Sequence, residues 1–245
     1  MKKLVAYITT GYPDLNFTED VILSLKESGA DMIELGMPFS DPVADGPVIE
    51  EANLKSLQNG FKIDDIFEVS QKVASKIDTL WMGYFNPFYQ KGMEKMSKKA
   101  SELGVKGFII PDLPYEEAKE YKGLVKKYNL ALIDFIAPTD SKERIEEILK
   151  DSRMFIYMVA YAGITGSGKS EDLNKVISDV RSVTDTPLFV GFGVNTKTAK
   201  QKAKGVDGVI VGSEFVKVLL NDTLSYSQKI KNISQIASKI KEEIN

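Results

Sequence analysis

Short, almost wholly apolar runs alternate with longer amphipathic, Lys/Glu-rich runs from one end of this chain to the other, and that rhythm constrains the fold more than any single residue. A strand apolar on both faces must be covered on both faces, which is the condition of parallel strands flanked by helices. The strand segments are 4 to 10, 31 to 36, 79 to 85, 107 to 112, 130 to 137, 154 to 161, 187 to 193 and 208 to 213. Helical segments at 16 to 28, 47 to 58, 63 to 76, 92 to 103, 115 to 128, 141 to 150, 171 to 183 and 196 to 203 lie between and after them. A last helix near 224 to 243 sets Ile230, Ile233, Ala237, Ile240 and Ile244 on one core-facing stripe. Eight strand–helix units in 245 residues come to ~31 residues each, the spacing of a βαβ repeat. No linker of Pro, Gly and Ser interrupts the series. The expectation is an α/β fold, one (β/α)8 TIM barrel domain over residues 1–245 with extra helices. A doubly wound open sheet shares the same order of elements and stands as the alternative.

Chemistry is bounded by two absences. The chain has no histidine and no cysteine, so a Ser-His-Asp triad, a cysteine nucleophile, a Cys/His zinc site and an iron–sulfur cluster are excluded. Acid–base work falls to Asp, Glu, Lys or Tyr, and no metal site is expected. A formal net charge of −3 gives no field for collecting nucleic acid or an anionic membrane surface. The start, MKKLVAYITTGYPD, reads as a strand rather than a signal peptide. No apolar stretch approaches the ~20 residues that span a bilayer. A cytoplasmic location is expected, and the lack of cysteine is compatible with a reducing compartment.

In barrels of this kind the site is built from loops that follow the strands. Glu34 stands inside the apolar run Ile33-Glu34-Leu35-Gly36, where an ionised carboxylate loses solvation and its pKa tends to rise. A glutamate tuned this way can give a proton as well as take one; a buried structural ion pair is the alternative. The loop that follows contains Pro38, Pro42 and Pro47, which restrict it, and carries Asp45, equally placed to cap the next helix. Asp112 after the fourth strand is a rim acid or a cap, and Asp134 in the fifth is a rim acid or a paired core residue. Trp81, Met82, Tyr84 and Phe85 read as barrel packing, with Asn86-Pro87 starting a turn. Near the end, Gly191-Phe192-Gly193 and Gly212-Ser213 follow the last two strands, where phosphate-binding barrels place bare backbone N–H groups and the N-terminus of a short helix.

Residues 163 to 170, GITGSGKS, match the P-loop pattern at every fixed position. The strand after them ends in GFG without the acid that would hold magnesium, and six strand–helix units precede them. A glycine-rich lid over a phosphorylated substrate is the alternative to a nucleotide hydrolase.

Taken together, these motifs resemble one family. The run from Ile33 to Pro47, IELGMPFSDPVADGP, resembles the signature of the tryptophan synthase alpha subunit family. Tyr7 to Asp14, Tyr84 to Pro87, Pro111 to Pro114, Gly163 to Gly166, Gly191 to Val194 and Gly212-Ser213 support it in order along the chain. The resemblance implies a (β/α)8 lyase that splits indole-3-glycerol phosphate into indole and glyceraldehyde 3-phosphate. It implies Glu34 as the general acid/base and Asp45 as the carboxylate serving the indole N–H. Tyr7, Tyr84, Tyr157 and Phe192 would line the indole and glycerol pocket, and Thr165 on the lid would bond Asp45. Gly166, Gly193, Gly212 and Ser213 would hold the phosphate. No cofactor is implied in this chain; pyridoxal phosphate belongs to a beta chain, with which an alpha2beta2 tetramer is expected, through contacts around Pro38 to Asp41, Asn86 to Phe88 and Asp112. The chain carries Ala160-Tyr161 where members of the family commonly have Ser-Arg. The competing readings are the P-loop hydrolase and a catalytically idle barrel that regulates a partner.

Overall fold

The structure is a computed structural model that describes residues 1–159 and 173–245. In chain order its elements are β1 (Lys3–Thr9), α1 (Leu15–Glu27), β2 (Met32–Gly36), α2 (Pro47–Gln58), α3 (Ile63–Val73), β3 (Asp78–Met82), α4 (Phe85–Lys91), α5 (Met93–Leu103), β4 (Gly107–Ile109) and α6 (Tyr115–Lys127). There follow β5 (Ala131–Leu132), β6 (Asp134–Ile136), α7 (Lys142–Leu149), β7 (Ile156–Val159), α8 (Leu173–Val183), β8 (Leu188–Gly191), α9 (Ala199–Lys202), β9 (Gly208–Val211), α10 (Ser213–Leu219) and α11 (Tyr226–Ile244).

All the strand pairs are parallel, and the sheet order is β5-β4-β3-β2-β1-β9-β8-β7-β6. The two ends of that order are pieces of one stretch of chain. Residues 131 and 132 pair with β4, residues 134 to 136 pair with β7, and Ile133 between them sends its N–H to the Phe108 carbonyl at 3.0 Å. The chain itself thus closes the ring, and the open doubly wound sheet is ruled out.

Two separate apolar clusters follow from closure. Val5, Leu80, Ile109, Ala131, Ile133, Phe155, Phe189 and Ile210 fill the barrel interior. A larger shell, including Phe17, Trp81, Phe108 and Phe215, joins the outer strand faces to the helices. Trp81 packs as expected, stacked 5.8 Å from Phe108 with its indole N–H donating to Ser70 at 2.8 Å. The stripe on α11 is also core-facing: Ile233, Ala237, Ile240 and Ile244 are buried and Ile230 partly so.

Several segments depart from the expected pattern. Residues 83 to 85 do not extend β3, because α4 begins at Phe85. Pro87 sits in the first turn of that helix, where its missing N–H has no intrahelical partner to lose. The run 107 to 112 is strand only as far as Ile109, and 196 to 203 is helix only over Ala199–Lys202. Asp134 is a paired residue rather than a rim acid: flanked by the inward Ile133 and Phe135, it points outward. There it meets Lys122 Nζ of α6 at 2.6 Å and accepts from Ser152 Oγ at 2.8 Å. No helix among the described residues is long and apolar enough to cross a membrane.

Candidate active site

The strand register sets the site. Tyr7 on β1 stands directly beside Glu34 on β2, and Glu34 beside Leu80 on β3. With side chains alternating between faces, Tyr7 and Glu34 face the interior above the layer formed by Val5 and its neighbours. They open into a cavity of about 380 Å³, lined also by Ala44, Asp45, Tyr157, Phe192, Gly193, Gly212 and Ser213. Eight of the expected site residues therefore share one cavity. Tyr84 reaches it through Asp45. Thr165, Gly166, Ala160-Tyr161 and the P-loop-like run lie outside the described residues. A larger groove of about 1020 Å³ runs between α9 and the end of α11, but Lys200, Lys204, Lys239 and Glu242 on its walls face solvent and converge on nothing.

Two glycines make room for the tyrosines. A Cβ on Gly36 would come within 2.4 Å of Tyr7 Oη, and one on Gly191 within 2.3 Å of Tyr157 Oη, so each ring lies over a bare position on the adjoining strand. Gly191→Ala is expected to destabilise the fold by ~1–3 kcal/mol through overpacking, measurable by denaturant unfolding, and to push the Tyr157 ring into the cavity. Unchanged stability would show that the ring moves freely.

The two acids differ in environment. Glu34 is 2% exposed, and its Oε1 has no hydrogen-bond partner among the described residues. Loss of hydration, with the Asp45 charge second, raises its pKa from 4.5 to about 8. Asp45 is not the cap of α2, since that position belongs to Gly46 with Pro47 at the first helical residue. Burial raises its pKa from 3.8 to about 6, held back by hydrogen bonds from Tyr84 and Asn53 and pushed further by Glu50. The Tyr84 hydroxyl donates to Asp45 while accepting from the Ala44 N–H at 3.0 Å, and its ring stacks on Phe39 at 5.4 Å. Burial among these carboxyls drives the Tyr7 and Tyr157 hydroxyls far above their ordinary pKa, so both remain neutral.

At the other end of the cavity Phe192 has φ +71° and Gly193 φ +68°. A left-handed Phe is strained, and strain of this kind concentrates at functional sites. A Cβ on Gly193 would meet nothing within 4 Å, so this bare backbone faces open space. Gly212 caps α10 without a side chain and Ser213 opens that helix. Sequence reading missed Met82, Ile109, Ile210 and Lys217 in the lining; inward parity along each strand would have found the first three. Asp112 proved to be a cap, accepting from the Phe85 N–H at 2.8 Å to start α4. Among the described residues no cluster of acids could hold a metal ion.

A profile of the family described as tryptophan synthase alpha chain matches residues 1–245. The chain belongs to that family. The tryptophan synthase alpha chain of Wolinella succinogenes is 55% identical over 246 residues, covering 100% of this chain and 96% of the relative. The alpha chain of Aquifex aeolicus is 38% identical, covering 98% and 92%. Among solved structures, the tryptophan synthase alpha subunit of Campylobacter jejuni superposes with a TM-score of 0.87 at 36% identity, over 96% of this chain and 95% of that one. Tryptophan synthase from M. tuberculosis in its aminoacrylate-bound form gives 0.87 at 29% identity, over 100% and 94%. Membership makes this chain an enzyme of tryptophan biosynthesis, and the reaction of the family is retro-aldol cleavage of indole-3-glycerol phosphate. The P-loop hydrolase is set aside.

Proposed function

We propose that Glu34 and Asp45 carry the proton transfers of that cleavage. The observation behind this is a pair of carboxyls in one cavity whose environments set their proton affinities on opposite sides of neutrality, Glu34 at about 8 and Asp45 at about 6. At pH 7 the first is mainly an acid and the second mainly a base. Glu34 gives its proton to indole C3 while Asp45 takes the N–H proton, producing the indolenine. The Glu34 carboxylate then removes the proton of the hydroxyl on the carbon attached to C3. The bond from C3 to that carbon breaks, its electron pair returns to the indole ring, the aldehyde of glyceraldehyde 3-phosphate forms, and Asp45 returns the proton to nitrogen. Each acid ends as it began, so the cycle needs no cofactor of this chain's own.

Tyr7, Tyr157 and Phe192 would flank the indole and glycerol, with Tyr84 holding Asp45. Gly193, Gly212 and Ser213 would receive the phosphate on bare N–H groups, with Thr165 and Gly166 completing the enclosure as the family resemblance implies. The same reading includes a cytoplasmic enzyme working with a beta chain that carries pyridoxal phosphate, in an alpha2beta2 tetramer. Val43, 80% exposed in the loop that leads to Asp45, is an apolar group suited to such a contact.

The test is indole release from indole-3-glycerol phosphate, with and without a beta chain, across pH. Turnover should trace a bell. It falls below about pH 6 as Asp45 gains a proton and above about pH 8 as Glu34 loses one. A flat profile from pH 5.5 to 8.5 would rule out the two-carboxyl assignment.

A further inference from the structure

Helix α2 buries Ala52, Asn53 and Ser56. Two of these three are polar, and Asn is a poor helix former, so the face is not built for helix stability. Ser56 is explained by its bond to the Thr10 carbonyl at 2.7 Å, which fixes α2 against the end of β1. Asn53, one turn earlier and 1% exposed, points its Nδ2 at Asp45 Oδ2, 3.3 Å away, while its Oδ1 is buried without a hydrogen-bond partner among the described residues. An apolar side chain of similar size would pack there without leaving a buried carbonyl oxygen unpaired.

We infer that Asn53 is a positioning residue: from the anchored helix α2 it holds Asp45 in the loop before that helix and keeps its carboxylate in the ionised, proton-accepting form. The inference rests on the assignment of Asp45 as the base. Among the described residues, the titratable groups that face Asp45 or share its cavity are Glu34 on β2, Tyr7 on β1, Tyr84 ahead of α4, Tyr157 on β7, Glu50 on α2, and Glu214 and Lys217 on α10. Glu34 and the tyrosines are neutral near pH 7, Glu50 repels the carboxylate and Lys217 forms no ion pair with it, so among the described residues no cation is paired with Asp45. Hydrogen-bond donors must do that work, and Asn53 gives the one that comes from a helix rather than from the hydroxyl of Tyr84. The Nδ2–H donors favour the charged form of Asp45 against the burial that opposes it.

The experiment compares the full chain with its Asn53→Leu and Asn53→Asp variants, each with a beta chain, by kcat/KM for indole release from pH 5 to 9. Asn53→Leu removes the donor and lifts the proton affinity of Asp45. The acid limb should move up by about one pH unit, giving roughly fivefold lower kcat/KM at pH 6, roughly tenfold lower at pH 5 and near-normal values at pH 8. Asn53→Asp sets a second carboxyl against the first and should move the limb further in the same direction. A structural role alone would lower kcat/KM by the same factor at every pH, or lower the melting temperature with the limb in place; either result overturns the inference. Asp45→Asn, run in parallel, separates the two failures. If it keeps turnover and an intact acid limb, the assignment of Asp45 itself fails. If it loses them while Asn53→Leu keeps the original profile, only the role of Asn53 falls.

Discussion

Glu34→Gln should abolish indole release, lowering kcat by about 10³-fold or more, while the phosphorylated substrate still binds. The amide preserves the volume and one acceptor oxygen of the carboxyl but has no proton to deliver to C3, and general acid–base groups contribute ~10²–10⁴-fold each. Glu34 acts in both halves of the cycle, which puts its loss at the upper end. The same substitution should stabilise the fold, with a definite pH dependence. The native carboxyl holds its proton up to about pH 8, whereas the unfolded chain releases it near 4.5. The native state therefore binds more protons between those values, and stability falls as pH rises through that window. Glu34→Gln removes the term, so its advantage should be small at pH 5 and on the order of a few kcal/mol at pH 8. Denaturant titrations at the two pH values check the sign. A variant with near-normal turnover, or one less stable at pH 8, would mean that Glu34 is paired or solvated and not the acid.

Asp45→Asn should cost about 10²-fold in kcat/KM and erase the acid limb of the profile. An amide can still accept from Tyr84 and so keep the loop in place, but it cannot take the indole N–H proton as the indolenine forms. The loss is smaller than at Glu34 because the remaining dipoles around the nitrogen still stabilise part of the developing charge. Single-turnover measurements with and without the beta chain would show whether the chemical step is the one that slows. If the acid limb near pH 6 persists in this variant, the group responsible for it lies elsewhere.

Glu34 was legible as a buried acid because it interrupts a doubly apolar strand, but sequence left a structural ion pair open; the structure decides against that pair, since among the described residues its Oε1 has no partner. Asp45 carried an equal claim as a helix cap, and only the geometry shows Gly46 in that place. Asp134 and Glu34 look alike in sequence, each one acid in an apolar strand, but a closed barrel turns one inward and the other toward α6. Strand parity separates them only once the ladder is known. Asn53 left no signal, because a polar residue in an amphipathic helix reads as its solvated side. Helix α4 escaped because Asn-Pro usually marks a turn, and the Asp112 carboxylate that starts the helix comes from a distant loop.

The closure at Ile133 divides the molecule in a way the mechanism makes meaningful. Residues up to 132 supply β1 to β5 and hold both acids; residues from 134 onward supply β6 to β9 and hold Tyr157, Phe192, Gly193, Gly212 and Ser213. In the mechanism proposed above, one arc handles protons and the other grips the substrate's tail. They are joined by the ladder between β1 and β9, by the residue at 133, and by contacts between helices across both seams, among them Tyr226 to Asp20, Lys241 to Asp31 and Arg144 to Glu116. The substrate proposed above would lie across both arcs, so these remote seams hold the acids in register with the residues proposed to receive the phosphate.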